Sequence, residues 1–222
     1  SFFDTVSNIY SYAGDSQEEF KKNCDEVAAI LEKYHQLFDI YNEYSGINNL
    51  CTVNKNAGGE PLKVDEKLID FLLYTKEMYS LTKGESNVML GAVLKLWHNE
   101  REIASVDPTL AKLPDPKALE EANTHCSIDL LEINKENNTV RISDPLALID
   151  VGAMGKGYAT EQAAKYLEDK GITSYVLNIG GNIRIIGTKV DGDGWVTGIK
   201  NPLDPETYAF YTKISDPDIS LR

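Results

Sequence analysis

The clearest chemical signal in the sequence is a glycine-rich segment that follows an apolar run ending in a carboxylate. It reads Leu148-Ile-Asp-Val-Gly-Ala-Met-Gly-Lys-Gly-Tyr-Ala159. Backbone amides and the dipole at a helix start attract anions, glycines let a ligand approach the backbone, and Lys156 adds a positive charge. These features favour a nucleotide phosphate site. A glycine helix cap beside a surface lysine explains the same spacing equally well.

This segment does not match either of two common phosphate motifs. Only two residues separate Gly152 from Gly155-Lys156, where a P-loop needs four, and the G-x-G-x-x-G pattern is also missing. A second signal, Val176-Leu-Asn-Ile-Gly-Gly-Asn-Ile183, places two glycines between apolar runs. Such glycines permit a bulge or the close approach of a ligand. A tight turn between two strands is the alternative.

Composition limits the classes of protein to which these signals can belong. The 222 residues carry 22 Lys plus Arg against 35 Asp plus Glu, a formal net charge of −13. That balance argues against binding to nucleic acid, which needs a basic surface. A hydrophobic content of 42% is enough for a folded core. The three cysteines have no C-x-x-C spacing, so neither a zinc site nor a disulfide framework is predicted.

The hydrophobic pattern predicts helices and strands in mixed order. This order favours an α+β fold, with mixed sheets and flanking helices, over a doubly wound sheet. We expect a long loop over residues 40–59 and one domain over residues 1–222. Helices are expected after Ser16, from Asp65 to Gly84, over residues 89–97, near 117–124 and from the glycine-rich segment to Gly171. Strands are expected over residues 3–12, 128–133, 139–142, 146–149, 175–179, 182–187, 195–200 and 208–214.

Taken together, the motifs give a family resemblance. The sequence resembles the ApbE-type family of FAD:protein FMN transferases, formerly described as thiamine biosynthesis lipoproteins. Four motifs in the right order carry it: Phe3-Asp-Thr5, Asp150-x-Gly-Ala-x-x-Lys156-Gly-Tyr-Ala159, Asn178-Ile-Gly-Gly-Asn-Ile183 and Trp195-Val-Thr-Gly-Ile-Lys-Asn-Pro202. The resemblance implies a flavin-transferase fold.

The resemblance also implies site residues. Asp150 and Lys156 fall on FAD-contacting positions, and the backbone carbonyl of Ala153 falls on a metal ligand. Phe3 falls near the flavin, and Tyr41 falls where an aromatic ring stacks on isoalloxazine or adenine. Glu85, Ser86 and Asn87 fall on a backbone-lined part of the same cleft. As alternatives, Phe3 and Tyr41 are core aromatics and Glu85 is a solvated charge.

The implied reaction moves the FMN half of FAD to a Ser or Thr of an acceptor protein, with Mg2+ as cofactor and release of AMP. Positioning and charge neutralisation dominate the catalysis of such phosphoryl transfers. The implied acceptors are flavin-carrying subunits of membrane redox systems. The implied location is extracytoplasmic, as a bacterial lipoprotein held at the membrane by a lipid anchor. An FAD-binding module without transfer activity and an Mg2+-dependent FAD pyrophosphatase that gives FMN and AMP are the alternatives.

The family's final motifs, which supply a histidine and further Asp and Thr metal ligands, have no match here. Asp216 and Asp218 are possible replacements, although neither the family's His before them nor its Thr-Gly after them is present. We therefore expect a C-terminally truncated domain that transfers FMN poorly on its own. His35, His98 and His125 are isolated in the sequence, and none is assigned as the general base.

Overall fold

Helices and strands follow one another in mixed order in the part of the chain that the computed structural model describes, residues 2–214. The expected α+β class is confirmed. The helices are α1 Gln17–Phe38, α2 Leu50–Lys55, α3 Glu66–Leu81, α4 Gly91–Val106, α5 Pro116–Asn123 and α6 Gly155–Asp169. The strands are β1 Ser7–Ser11, β2 Leu62–Lys63, β3 Leu131–Asn134, β4 Thr139–Ile142, β5 Tyr175–Ile179, β6 Asn182–Ile186, β7 Trp195–Asn201 and β8 Asp204–Ile214.

The chain divides into two compact units. The described part of unit 1 comprises residues 2–34 and 156–214, and unit 2 comprises His35–Gly155. The expectation of one domain over residues 1–222 stays a prediction. None of the described helices is both long enough and apolar enough to cross a lipid bilayer.

Unit 1 is built on an antiparallel sheet in the order β1-β5-β6. Side chains alternate along a strand, so Tyr175, Leu177 and Ile179 share one face of β5, and all three are fully buried. Helix α1 packs on this face, where Asn23 donates a hydrogen bond to the Tyr175 hydroxyl at 3.1 Å. Arg184 of β6, on the same face, bonds to helix α6, so both helices cover one side of the sheet.

The opposite face of this sheet carries the hairpin β7–β8. Trp195 of β7 is buried, and its Nε1–H donates to the Gly187 carbonyl at 2.9 Å. It forms a small apolar cluster with Ile185 and Ile214. Between the sheet and the hairpin lies a cavity of about 420 Å³, lined by Tyr10, Tyr12, Val176, Asn178, Ile183, Ile185, Lys189, Trp195, Val196, Thr197, Gly198, Tyr208 and Tyr211. Phe3 and Lys156 do not line this cavity.

Unit 2 combines a small antiparallel sheet, in the order β2-β4-β3, with helices α2 to α5. Its core is aromatic and aliphatic, and the rings of Phe38 and Phe71 lie 4.1 Å apart. Helix α3 begins after Asp65, whose carboxylate accepts the Lys67 N–H at 2.9 Å. It ends at Leu81, and Gly84 follows with φ +91°, which confirms the expected stop.

The helix expected over residues 89–97 continues to Val106, and four other expectations for secondary structure were wrong in detail. The first strand begins only at Ser7, because residues 2–5 form a tight turn. Residues 128–130 form a turn of 3-10 helix before β3.

The expected loop over residues 40–59 contains helix α2, which Asn49 and Thr52 start as a capping box. Six residues are too few to show a helical period. Residues 146–149 are not a strand of any of the three described sheets, because their partners lie elsewhere, as the candidate site shows.

Candidate functional site

The first motif of the resemblance forms a tight turn in unit 1. Phe3 and Asp4 both have positive φ, 52° and 55°, and the Thr5 N–H donates to the Phe2 carbonyl at 3.0 Å. Two successive residues with positive φ match a type I′ turn, which favours Gly, Asn or Asp over Phe. Phe3 is half-buried there. The turn therefore holds an aromatic residue in an unfavourable backbone conformation.

The paired glycines turn out to connect strands β5 and β6. Gly180 and Gly181 have φ +57° and +88°, so this segment is the tight turn of a hairpin. The Gly180 N–H donates to the Val6 carbonyl at 3.1 Å. A Cβ atom at Gly180 would lie 2.4 Å from Thr5 Oγ1. The close approach that this glycine permits is therefore to Thr5, and the structure brings two motifs of the resemblance together.

Helix α6 brings a third motif to the same part of unit 1. Lys156 is its second residue, and a Cβ atom at Gly157 would lie 3.5 Å from Asn182 Oδ1 in the β5–β6 hairpin. Arg184 fixes the helix, since its guanidinium donates to Glu161 and to Glu168, both at 2.9 Å. Burial opposes the charged form, but the two carboxylates outweigh it and raise the pKa of Arg184.

In unit 2, residues 148–150 are held extended by partners other than a sheet. The Gly91 N–H donates to the Leu148 carbonyl at 3.1 Å, and the Asp150 N–H donates to the Val88 carbonyl at 2.8 Å. On the other side, the Asn54 amide bonds to both backbone groups of Ile149, at 2.9 and 2.8 Å. An extended segment with these partners, and with one isolated parallel bridge between Leu90 and Leu148, explains the strand-like sequence pattern without a strand of a sheet.

The turn that follows connects this segment to helix α6. Asp150 Oδ1 accepts the Gly152 N–H at 2.8 Å, so the carboxylate shapes the turn as well as carrying charge. Gly152 and Ala153 are exposed. Gly155 is buried, and a Cβ atom there would lie 3.1 Å from the Phe38 ring. Close packing therefore accounts for Gly155, whereas Gly152 and Ala153 lie at the surface.

Residues 85–87 lie beside the same turn. Ser86 Oγ and Met154 Sδ are 3.3 Å apart. Asn87 accepts the Met89 N–H at 2.9 Å and donates to the Cys126 carbonyl at 2.8 Å, while the Glu85 side chain is exposed. The structure therefore brings Ser86, Asn87, Asp150 and Ala153 into one region of unit 2.

Tyr41 lies on a short loop that Asp39 organises. Asp39 Oδ1 accepts the N–H groups of Tyr41 and Asn42, at 2.7 and 2.9 Å, and Oδ2 accepts from the Asn42 amide and the Tyr44 hydroxyl. Burial opposes ionisation, but these hydrogen bonds hold the pKa of Asp39 below its usual value. Buried Asn49 ties down the same loop by donating to the Asn42 carbonyl at 2.7 Å.

Tyr41 is 60% exposed and lies among charged groups of unit 2. Partial burial raises the pKa of Tyr41, and the negative charge of Asp150 adds to that effect. Tyr41 and Asp150, two positions that the resemblance assigned to FAD, are therefore electrostatic neighbours. The ring centroid of His98 lies 5.4 Å from that of Tyr41.

Sequence reasoning missed three residues that shape this region: Asp39, Asn54 and His98. Asp39 could have been found from the sequence. In a loop, an Asp side chain commonly accepts the backbone N–H two residues later, which forms an Asx turn. Asn54 and His98 gave no local signal. Their partners, Ile149 and Tyr41, are 95 and 57 residues away in the sequence.

The other two histidines of unit 2 have structural partners. The His35 ring lies edge-on to Tyr44, with centroids 6.5 Å apart. His125 Nδ1 lies 2.6 Å from Asp144 Oδ2, and this hydrogen bond is the largest cause that lowers the pKa of Asp144. Neither arrangement identifies a general base.

Metal and thiol chemistry find little support among residues 2–214. This part of the chain contains no group of three or more His, Cys, Asp or Glu side chains that could hold a metal ion. Asp216 and Asp218, the possible replacement ligands, lie outside the described residues. Burial raises the pKa of the Cys24, Cys51 and Cys126 thiols, so these cysteines are poor nucleophiles.

Comparison with curated proteins gives relatives over most of the chain. A Haemophilus influenzae protein named FAD:protein FMN transferase is 28% identical over 185 residues, which are 82% of this chain and 51% of that protein. A Treponema pallidum protein of the same name is 26% identical over 212 residues, 89% of this chain and 56% of that protein. The chain thus spans about half the length of these curated relatives.

Comparison of the structure gives the same fold. The flavin transferase ApbE from Vibrio cholerae aligns with a TM-score of 0.73 and 23% identity over 96% of this chain and 65% of that chain. The ApbE protein from Thermotoga maritima aligns with a TM-score of 0.74 and 21% identity over 95% and 67%. Residues 3–218 match the sequence profile of the ApbE family. Because this match covers nearly the whole sequence, the chain belongs to the ApbE family.

Proposed function

We propose that this chain binds FAD and belongs to an FAD:protein FMN transferase, which moves FMN from FAD to a Ser or Thr hydroxyl of an acceptor protein. Relatives over most of the chain carry that name. The observation that carries the proposal is the grouping, within unit 2, of Ser86, Asn87 and Asp150 around one turn, with Tyr41 within reach of the Asp150 charge. Those are the positions that the family resemblance assigns to FAD.

The residues proposed to bind FAD each have a chemistry suited to a dinucleotide. An exposed tyrosine ring offers a stacking surface for isoalloxazine or adenine. The Asp150 carboxylate can accept a hydrogen bond from a sugar O–H or from a ring N–H, in addition to the Gly152 N–H that its Oδ1 accepts in the turn. Lys156, at the start of helix α6, supplies a positive charge where a helix start favours an anion. Such parts recognise a base, a flavin and a pyrophosphate.

In the proposed reaction the acceptor hydroxyl oxygen attacks the phosphorus on the FMN side of the pyrophosphate. A new P–O bond joins FMN to the acceptor, the P–O bond to AMP breaks, and the hydroxyl proton is released to a base. The residues of this chain bind and orient FAD, so that the attacked phosphorus faces the acceptor. Neutralising the pyrophosphate charge is the role of Lys156.

Mg2+ is proposed as the cofactor on the basis of the family resemblance. The ion prefers six oxygen ligands, and it would neutralise charge on the pyrophosphate. Residues 2–214 do not fit a complete site, because they hold no group of three or more candidate metal-binding side chains. The Ala153 carbonyl is the one ligand proposed in this range. No step of the reaction is therefore routed through the ion here.

The proposed acceptors are flavin-carrying subunits of membrane redox systems. The proposed location is extracytoplasmic, with the protein held at the membrane by a lipid anchor. Both proposals rest on the family resemblance alone. Finding the protein in a cytoplasmic fraction after separation of cell compartments would overturn the location.

The transfer proposal is tested by incubating FAD, Mg2+ and a threonine-containing acceptor peptide with the chain and, separately, with a version extended by the family's final motifs. Mass spectrometry then measures the FMN-peptide, and chromatography measures the FMN and AMP that are released. FMN-peptide and AMP in equal amounts would support transfer. FMN and AMP without modified peptide would instead support the pyrophosphatase. If calorimetry shows that FAD binds but neither version forms a product, the flavin-binding module is the remaining alternative.

Two controls sharpen this assay. A peptide with alanine in place of threonine separates transfer to the hydroxyl from other labelling. Titration with FAD, FMN and riboflavin separates binding of the pyrophosphate from binding of the flavin ring, and we expect FAD to bind most tightly. Equal affinity for riboflavin and FAD would contradict a pyrophosphate site.

A further inference from the structure

We propose that His98 of helix α4 is a further ligand-binding residue, which extends the Tyr41 ring into a two-ring surface for the planar heteroaromatic ring of the substrate. The inference rests on the proposed function, because it names a residue of the same site. Nothing in the sequence motifs marks His98.

The relative geometry of the two rings is the first argument. Their centroids lie 5.4 Å apart, and their planes differ by 32°. This arrangement is closer to parallel than to edge-on, so the two rings form one tilted aromatic pair. The other histidine–tyrosine pair of unit 2 differs, since His35 and Tyr44 meet at 70° with centroids 6.5 Å apart. An edge-on pair of that kind offers no shared face.

Exposure is the second argument. Tyr41 is 60% exposed although it follows the apolar end of helix α1, and His98 is partly exposed. Asp39 fixes the backbone of the loop with hydrogen bonds to the Tyr41 and Asn42 N–H groups. An exposed aromatic ring on a fixed backbone costs less entropy when it stacks on a ligand than one on a mobile loop. The surface formed by Tyr41 and His98 is therefore prepared for a planar ligand.

The orientation of the imidazole is the third argument. Arg101 Nη2 lies 2.6 Å from His98 Nδ1. A guanidinium has only donors, so Nδ1 is the acceptor and the ring proton of a neutral imidazole is on Nε2. His98 thus has an oriented ring with an N–H donor on the edge away from Arg101. An acceptor atom at the rim of a stacked ring can take that hydrogen bond.

The charges around Tyr41 fit such a ligand. Asp150, Glu102 and Asp39 are the acidic groups that act on Tyr41, and Arg101 is the basic group. This mixture favours a neutral, polar ring over an anionic one. Isoalloxazine and adenine share that chemistry, because each is planar and carries acceptor atoms on its rim. They are the two ends of FAD, so the experiment must distinguish them.

The test measures dissociation constants by calorimetry for the chain and for three variants, with FAD, FMN and AMP as separate ligands. His98→Ala removes both the ring and the donor, whereas His98→Phe keeps a ring without the donor. His35→Ala is the control for loss of a histidine ring elsewhere in unit 2. We expect His98→Ala to weaken FAD binding about three- to thirtyfold, and His98→Phe to lose less. His35→Ala should change it less than about twofold.

The FMN and AMP titrations identify the ring. A loss confined to FMN would assign the surface to isoalloxazine, and a loss confined to AMP would assign it to adenine; either result supports the inference. Unchanged FAD affinity in both His98 variants, with FAD still bound by the wild-type chain, would overturn the inference but leave the proposed function intact. Equal losses in His98→Ala and His35→Ala would also overturn it. A wild-type chain that binds none of the three ligands would overturn both.

Discussion

The side-chain amide of Asn54 takes the place of a neighbouring strand for Ile149. Its Nδ2 donates to the Ile149 carbonyl at 2.9 Å, and its Oδ1 accepts the Ile149 N–H at 2.8 Å. Ile149 is 1% exposed, so these backbone groups are shielded from water. The next residue is Asp150, where the turn to helix α6 begins. One amide side chain therefore fixes the approach to the candidate site.

Replacing Asn54 with Ala should destabilise unit 2. Two buried backbone groups would lose their partner, and each unsatisfied group costs about 1 to 3 kcal/mol, so we expect a loss of about 2 to 6 kcal/mol in the free energy of unfolding. Urea unfolding followed by circular dichroism measures it. Asn56→Ala is the matched control, since its amide donates only to the exposed Glu60 carbonyl. Equal losses from both substitutions would contradict the role of Asn54.

Asp39 should make the loop that carries Tyr41 sensitive to acid. Its pKa is lowered in the folded chain, so the ionised carboxylate stabilises the fold above its unfolded pKa of about 3.9. That contribution is lost as the pH falls through the lower, folded-state pKa. We expect Asp39→Ala to cost about 1 to 3 kcal/mol at pH 7. The difference from wild type should shrink as the pH falls below about 4.

The measurement for Asp39 is urea unfolding of wild type and variant between pH 3 and pH 7. Asp39→Asn is the useful comparison, because it keeps one acceptor oxygen and removes the charge. A difference between wild type and Asp39→Asn that does not vary with pH would show that the carboxylate charge has no part in the loop.

Gly180 should tolerate a side chain less well than its neighbour. Alanine at either glycine adopts an unfavourable positive φ, at a cost of about 1 to 2 kcal/mol. At Gly180 the new Cβ also meets Thr5 at 2.4 Å, whereas at Gly181 nothing lies within 4 Å. We expect Gly180→Ala to be the more destabilising by about 1 to 3 kcal/mol. Thermal unfolding of the two variants decides this, and equal shifts in Tm would exclude a tight contact with Thr5.

Lys156→Ala should weaken FAD binding by about 1.5 to 3 kcal/mol, or roughly tenfold to a hundredfold, through loss of one charge-assisted contact. Lys165→Ala removes the same charge from an exposed position of the same helix and should leave the affinity unchanged. Calorimetry with FAD measures both. If Lys156→Ala binds FAD as wild type does, the lysine is a surface residue at a helix start, and the phosphate interpretation of the motif is wrong.

Much of this protein follows from local sequence. Helices α1, α3 and α6 show a helical period or a cap, and the hairpin of β5 and β6 is marked by Gly180 and Gly181. Period, caps and turn residues act between near neighbours, so they can be recognised without the fold. The family, too, could be recognised from four short motifs, and the match over residues 3–218 confirms it.

The tertiary structure decided what depends on distant partners. Residues 146–149 have the composition of a strand, but Asn54, Val88 and Gly91 pair with residues 148–150 in place of a sheet. Helix α2 is too short for a period, and the contact of His98 with Tyr41 joins two segments that share no pattern. Hydrogen bonds and ring contacts act over a few ångströms in space and carry no fixed spacing along the chain. Only the folded chain could therefore identify Asn54 and His98.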